Sequence, residues 1–238
     1  MIIPNWPAPK QIKAVSSTRI GGVSQGIYLG LNVGTHVGDQ SSVVQRNRVI
    51  AAHQANMPSA PIWLNQTHST NIIRVSEPTG LVLDADGLVT SNKKVVLSAM
   101  TADCLPVLLT DVEGSLVAAV HAGWRGLADG IVENALLAFD KPVMAWLGPA
   151  IGARVFEVGD DVLEAFITFD ENAVKAFTPL PNGKWLADMS LLATQRLNKA
   201  GVELVYNSNL CTYSEPTRFY SYRRDGITGR QCSFIWIE

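Results

Sequence analysis

The strongest constraint on this chain is a succession of short apolar runs. "KAVSST", "APIWLN", "NIIRV", "DGLVT", "KVVLSAM", "PVLLT" and "SLVAAV" follow one another through the first half, and "QCSFIWIE" closes the chain. Several are apolar at consecutive positions, the pattern of strands covered on both faces. Sheets of that kind need covering layers, and helical patterns interrupt the runs. One spans Ser41 to Ala55, with Ser41 or Ser42 as its cap and Val43, Val44, Val49 and Ile50 as its apolar stripe. A second starts near Arg125 and carries Leu127, Ile131, Ala135 and Leu136 on one face. Asp160 to Phe169 and Met189 to Ala200 form two more, the last followed by Gly201 in a C-cap position. Strands and helices intermix without strict alternation. This predicts an α+β fold, a single layered domain over residues 1–238 with mixed β-sheets flanked by helices.

Composition narrows the function classes. With 238 residues, 47% hydrophobic and 17% charged, the chain can bury a sizeable core. A net charge of −2 gives no overall attraction to nucleic acid or membrane surfaces, so neither is expected as a partner. The three cysteines, Cys104, Cys211 and Cys232, are widely separated and form no CxxC, which suits a reducing compartment. "MIIPNWPAPKQIKAV" lacks a basic, an apolar and a small-residue cleavage region, and the apolar runs are too short to span a bilayer. A cytoplasmic protein is expected. Between Arg19 and Asp39 lies a long Gly-, Ser-, Thr- and Asn-rich segment; Tyr28, Leu29, Leu31 and Val33 within it favour an ordered, packed loop.

Three of the runs end alike. "IWLNQTHS" ends at His68, "VVLSAMTADCLPVLL" presents Asp103 and Cys104 before Pro106, and "SLVAAVHAGW" ends at His121. Two His and one Cys form a known zinc ligand set that leaves the fourth position open, as catalytic zinc does. The same residues could instead form a Cys–His nucleophilic pair. Asp103 is available to either scheme for charge, orientation or proton transfer. If the site were structural it would need a fourth protein ligand, and Cys211, Cys232 and His36 are the available donors. His53, on the polar side of its helix, is expected to be solvated.

Groups suited to an anionic substrate surround these residues. "STRIGGVS" places Arg19 beside two glycines, "GWRGL" places Arg125 at a helix start, and Asn32 lies in the long loop. "FYSYRRDGITGRQ" combines aromatics with Arg223, Arg224 and Arg230; it could clamp a ligand or form a hairpin turning at "DGITG". Arg19, Arg125, Asn32 and Arg223 are the expected substrate and phosphate contacts. No Walker loop or dinucleotide fingerprint is present.

In order along the chain, "STRIGGVSQGIYLGLNVG", "NQTHS", "DADGLVT", "TADCLPVLL", "HAGWRGL", "LGPAIG", "FEVG" and "FYSYRRDGITGRQ" resemble the YfiH-type laccase-domain proteins. That family is also called polyphenol oxidase-like or peptidoglycan editing factor. The resemblance covers essentially the whole chain. It implies a layered α+β fold and a Zn²⁺ site of His68, Cys104 and His121, with Cu²⁺ as a possible substitute. It also implies purine nucleoside phosphorylase activity on adenosine, inosine, guanosine and methylthioadenosine, together with adenosine deaminase activity; the partners are then purine nucleosides and phosphate. An alternative within the family is removal of misincorporated L-Ser from a UDP-MurNAc peptidoglycan precursor. The older label is copper-dependent polyphenol oxidase. A multicopper cluster needs several histidines beyond a blue-copper triad, and only His36 and His53 remain of the four in the chain.

Overall fold

The core of the computed structural model, which describes residues 1–238, is a six-stranded mixed sheet. Its order is Leu204–Asn207, Val143–Leu147, Leu105–Asp111, Val117–Ala122, Gly87–Thr90 and Ile72–Arg74. The central pairings are antiparallel and the two outer ones parallel. A second, antiparallel sheet places Gln231–Ile237 between Ile12–Ser16 and Leu97–Thr101.

Alternation along the strands divides the core into layers. Leu108, Val117, Ala119 and Trp146 face Leu97, Ala99 and Ile235, joining the two sheets. On the opposite face of the large sheet, Leu105, Val107, Ala118 and Val120 pack against helices that contribute Leu127, Ile131, Phe166, Leu192 and Leu197. The outer face of the small sheet, with Val15, Met100, Phe234 and Trp236, is covered by Leu31, Val33 and Ala51. These strands are therefore apolar on consecutive residues because both faces are covered, as the runs predict. The α+β expectation holds. No helix is long and apolar enough to cross a membrane.

Three local expectations need correction. The first helix forms over Ser41–Gln54, but its buried face carries Val44, Asn47, Arg48 and Ala51, while Val49 is exposed. Polar residues are buried there because they hold the long loop. Asn47 donates to Ser24 Oγ and the Asn32 carbonyl and accepts from Val23 N–H, and Arg48 donates to the Val33 carbonyl. The loop is ordered by these bonds, with Leu31 and Val33 buried but Leu29 exposed. The helix expected from Arg125 is two, Trp124–Ala128 and Ile131–Leu136, because Gly130 between them takes φ +96°. "DGITG" makes no hairpin. Tyr222–Asp225 is a short helix, and the strand after it crosses to pair with Ile12–Ser16 and Leu97–Thr101.

Candidate active site

Strand register brings two of the three ligand candidates together. Pro106 pairs with His121 across the antiparallel Leu105–Asp111 and Val117–Ala122 strands. Side chains two residues apart on a strand share a face, so Cys104 and His121 emerge side by side. His68 arrives from a separate loop in a left-handed conformation, φ +62°. Its Nε2 lies 3.6 Å from Cys104 Sγ, and its ring centroid is 4.9 Å from that of His121. One ligand atom from each of the three falls within 4.8 Å of the others. Cys211 and Cys232 stay outside this group: Cys211 Sγ accepts from Gly152 and Ser214 N–H, and Cys232 is buried in the small sheet. The cluster thus offers three donors, which suits a metal with one position left for a substrate.

Asp86 builds this arrangement, and it was absent from the sequence-derived site. It is fully buried at the start of Gly87–Thr90. Its Oδ1 accepts from His68 N–H at 3.0 Å and His121 Nδ1 at 2.7 Å. Its Oδ2 accepts from Thr67 N–H, Ser69 N–H and Ser69 Oγ at 3.1, 2.7 and 2.7 Å. A carboxylate that only accepts keeps a proton on His121 Nδ1, so Nε2 is the nitrogen that would ligate a metal once its own proton is displaced. Burial opposes charge on Asp86, but the His121 and Ser69 bonds outweigh it and hold its pKa far below the usual carboxylate range. Burial likewise opposes charge on His121 and Cys104, and is outweighed by their mutual attraction. The thiol is brought down to about 6 by His121 and His68, and His121 is raised to about 9 by Cys104 and Asp86. The donor set, the fixed tautomer and the ready thiolate fit a soft divalent metal such as zinc or copper.

Gly123 closes the floor. A Cβ there would sit 2.3 Å from His68 Cδ2 and 3.3 Å from Cys104 Sγ. The triad opens into a cavity of about 430 Å³ whose walls include Trp124, Phe156, Tyr222, Arg125, Arg223 and Arg230. His36, from the long loop, also reaches it.

The other expected site residues are placed differently. Arg125 lines the cavity with its guanidinium 4.4 Å over the Trp124 ring, and Arg223 lines it while donating to the Glu157 carbonyl. Arg19 does not line it. Its guanidinium is spent on the carbonyls of Leu29 and Pro216 and lies over the Tyr220 ring. Asn32 is buried behind the wall, where its Oδ1 accepts from Gly34 and Arg230 N–H. Asp103 borders the cavity, but its carboxylate accepts from Thr212 Oγ1, Ser221 Oγ and Arg223 N–H at 2.6, 3.0 and 2.7 Å. One donor holds Oδ1 and two hold Oδ2, and together they tie the 212–223 segment to the loop that carries Cys104.

The sequence model of the family described as multi-copper polyphenol oxidoreductase laccase matches residues 13–238. The chain belongs to this family. A purine nucleoside phosphorylase of Haemophilus influenzae is 48% identical, over 100% of this chain and 99% of that protein. The Escherichia coli purine nucleoside phosphorylase YfiH is 47% identical, over 100% and 98%. A crystal structure of a Neisseria meningitidis protein, 49% identical, superposes with a TM-score of 0.96 over 100% of this chain and 98% of that one. YlmD from Geobacillus stearothermophilus, 30% identical, gives 0.89 over 96% and 93%. The laccase-domain description implies several coppers, yet this member gathers a single cluster of potential ligands. His53 is exposed on the helix Ser41–Gln54 and is no part of it.

Proposed function

We propose that this chain is a zinc-dependent purine nucleoside phosphorylase acting on adenosine, inosine, guanosine and methylthioadenosine, with adenosine deaminase activity. The observation that carries the reading is the three-donor cluster, with one position open, on the floor of a cavity with aromatic and cationic walls. The names of the H. influenzae and E. coli relatives support the phosphorylase half. Bound zinc would supply Lewis-acid polarisation of an oxygen, with copper able to occupy the same ligands.

The chain's own groups do the rest. Trp124, Phe156 and Tyr222 offer faces on which a purine can stack, and the arginines offer charge and hydrogen bonds to phosphate. Asp86 keeps His121 in its ligating tautomer. In phosphorolysis a phosphate oxygen forms the bond to the anomeric carbon. The N-glycosidic bond breaks with its electron pair passing to the purine, which takes up a proton. Inosine cleavage is expected to require phosphate and to yield ribose 1-phosphate and hypoxanthine. Free ribose formed without phosphate overturns the phosphorylase reading. Adenosine should yield inosine in phosphate-free buffer; its absence removes the deaminase. A UDP-MurNAc precursor carrying L-Ser, assayed alongside, tests the cell-wall alternative: release of serine with no nucleoside turnover would replace this reading.

A further inference from the structure

The cavity carries a cation that nothing in the protein neutralises. Arg230 is half-buried in the wall and takes part in no ion pair. One nitrogen, Nη1, donates to the carbonyls of Thr228 and Gly229 at 3.1 and 3.0 Å; Nε and Nη2 have no protein partner. The two anionic groups that act on it through space are Cys104 and Asp103. Cys104 belongs to the metal-ligand cluster, and the Asp103 carboxylate is occupied by three donors. Burial lowers the pKa of Arg230 from its ordinary value, the mark of a charge kept from water without full compensation.

Its position is built rather than incidental. The backbone N–H of Arg230 donates to Asn32 Oδ1 at 2.9 Å, and the same oxygen accepts from Gly34 N–H. The stem of Arg230 runs over Gly34, where a Cβ would lie 2.7 Å from Arg230 Cγ. The two carbonyl bonds then fix the direction of the guanidinium. A pre-aimed arginine with an unspent edge matches an oxyanion, to which it can donate two parallel hydrogen bonds. The other cations are less suited. Arg19 is spent outside the cavity, and Arg125 and Arg223, though also in no ion pair, are exposed, the first stacked on Trp124 and the second over Phe156.

We propose that Arg230 is the principal phosphate-binding residue of the cavity, held in place by Asn32 and Gly34, and that its free Nε and Nη2 edge receives the inorganic phosphate consumed in the reaction. The phosphate's role as co-substrate rests on the phosphorylase reading; the anion site itself does not.

The test uses full-length, metal-loaded wild type with R230Q and R230K, each first checked for a wild-type circular dichroism spectrum. R230K keeps the charge without the fork and serves as the folded variant should R230Q fail. Two readouts are taken: thermal stabilisation by inorganic phosphate, and KM for phosphate and for inosine separately. In R230Q we expect phosphate KM to rise on the order of 10- to 100-fold, inosine KM to stay nearly constant, and phosphate stabilisation to vanish. R230K should fall between the two. Unchanged phosphate KM and stabilisation in both variants overturn the proposal, as does a rise in inosine KM in place of phosphate KM. Stabilisation of wild type by adenosine monophosphate but not by inorganic phosphate would place the anion on a substrate and also overturn it. If wild type shows no phosphorolysis yet gains phosphate stabilisation that R230Q loses, the functional reading fails while the anion site stands.

Discussion

Replacing Asp86 by Asn removes one charge and almost no volume, which isolates its electrostatic work. An amide has one accepting oxygen and one NH₂ group, and five donors converge on the carboxylate. If the NH₂ takes the place of Oδ2, the N–H groups of Thr67 and Ser69 lose their acceptor; Ser69 Oγ can rotate. If it takes the place of Oδ1, His68 N–H is orphaned, and His121 can pair only by moving its proton to Nε2, the nitrogen meant for the metal. The N–H groups of Thr67, His68 and Ser69 sit in a part-buried shell where each one orphaned costs at most about 1–3 kcal/mol; one or two are lost, so the predicted loss is about 1–4 kcal/mol. The left-handed backbone of His68, which Asp86 holds, is itself unfavourable by about 1 kcal/mol, and its relaxation in the variant sets the lower end of that range. For a chain of this length such a loss lowers Tm by roughly 2–15 °C. Zinc affinity should fall about 10- to 100-fold, the usual effect of losing a carboxylate behind a ligating histidine. Urea unfolding of the chelator-treated protein gives the first quantity, and competition with a chromophoric chelator gives the second. D86N with stability within about 0.5 kcal/mol of wild type would refute the hydrogen-bond argument. Wild-type zinc affinity in the same variant would refute the tautomer argument.

Two further perturbations probe the same site. Gly123→Ala keeps an allowed backbone, since φ is −66°, but drives a methyl into His68 and against Cys104. We expect a folded protein with zinc affinity reduced tenfold or more, measured by the same chelator competition; retention of wild-type affinity would mean the floor is not tightly packed. In the metal-free protein the Cys104 thiol, brought down to about 6, is half ionised near that pH and loses its thiolate as pH falls further. Iodoacetamide modification should therefore be nearly constant from pH 7 to 9 and decline with a midpoint near 6. A midpoint near the ordinary thiol value of about 8.5 would show that the histidines do not stabilise the thiolate. Cys232, fully buried and with its pKa raised by burial, should remain unmodified throughout and serves as the internal control.

Much of the fold was legible because consecutive apolar residues have few solutions. "PVLLT" and "SLVAAV" carry no alternation, and both proved to be strands between two covering layers. The helix Ser41–Gln54 was legible in extent and misleading in orientation. Its valines suggested the buried stripe, while the face that packs is chosen by Asn47 and Arg48, whose partners lie 15 to 24 residues away along the chain. Such bonds leave no periodic trace. The same holds for "DGITG", whose composition suits a tight turn but whose flanking segments have no strand to pair with each other.

At the site, His68, Cys104 and His121 were visible because each stands where an apolar run breaks. Asp86 left a fainter mark: a carboxylate between Ala85 and Gly87, flush against the apolar "LV" of a buried strand, where a charge needs a reason. Arg19 and Arg230 could not be ranked from sequence, since both lie within two residues of a glycine and differ in what the fold spends them on. The comparison of the two buried aspartates goes further. Asp86 and Asp103 flank the ligand cluster and each ties a loop to it, Asp86 with five donors and Asp103 with three. Five donors leave Asp86 no lone pair for proton transfer, whereas Asp103 Oδ1 accepts only from Thr212 Oγ1. Apart from the arginines, the acids and bases lining the cavity are then His68, Cys104 and His121, gathered in that cluster, together with Asp103, His36 and Tyr222. Proton transfer on a bound purine therefore has to involve one of those last three, a solvent molecule, or the ligand cluster itself, and Asp86 has no part in it.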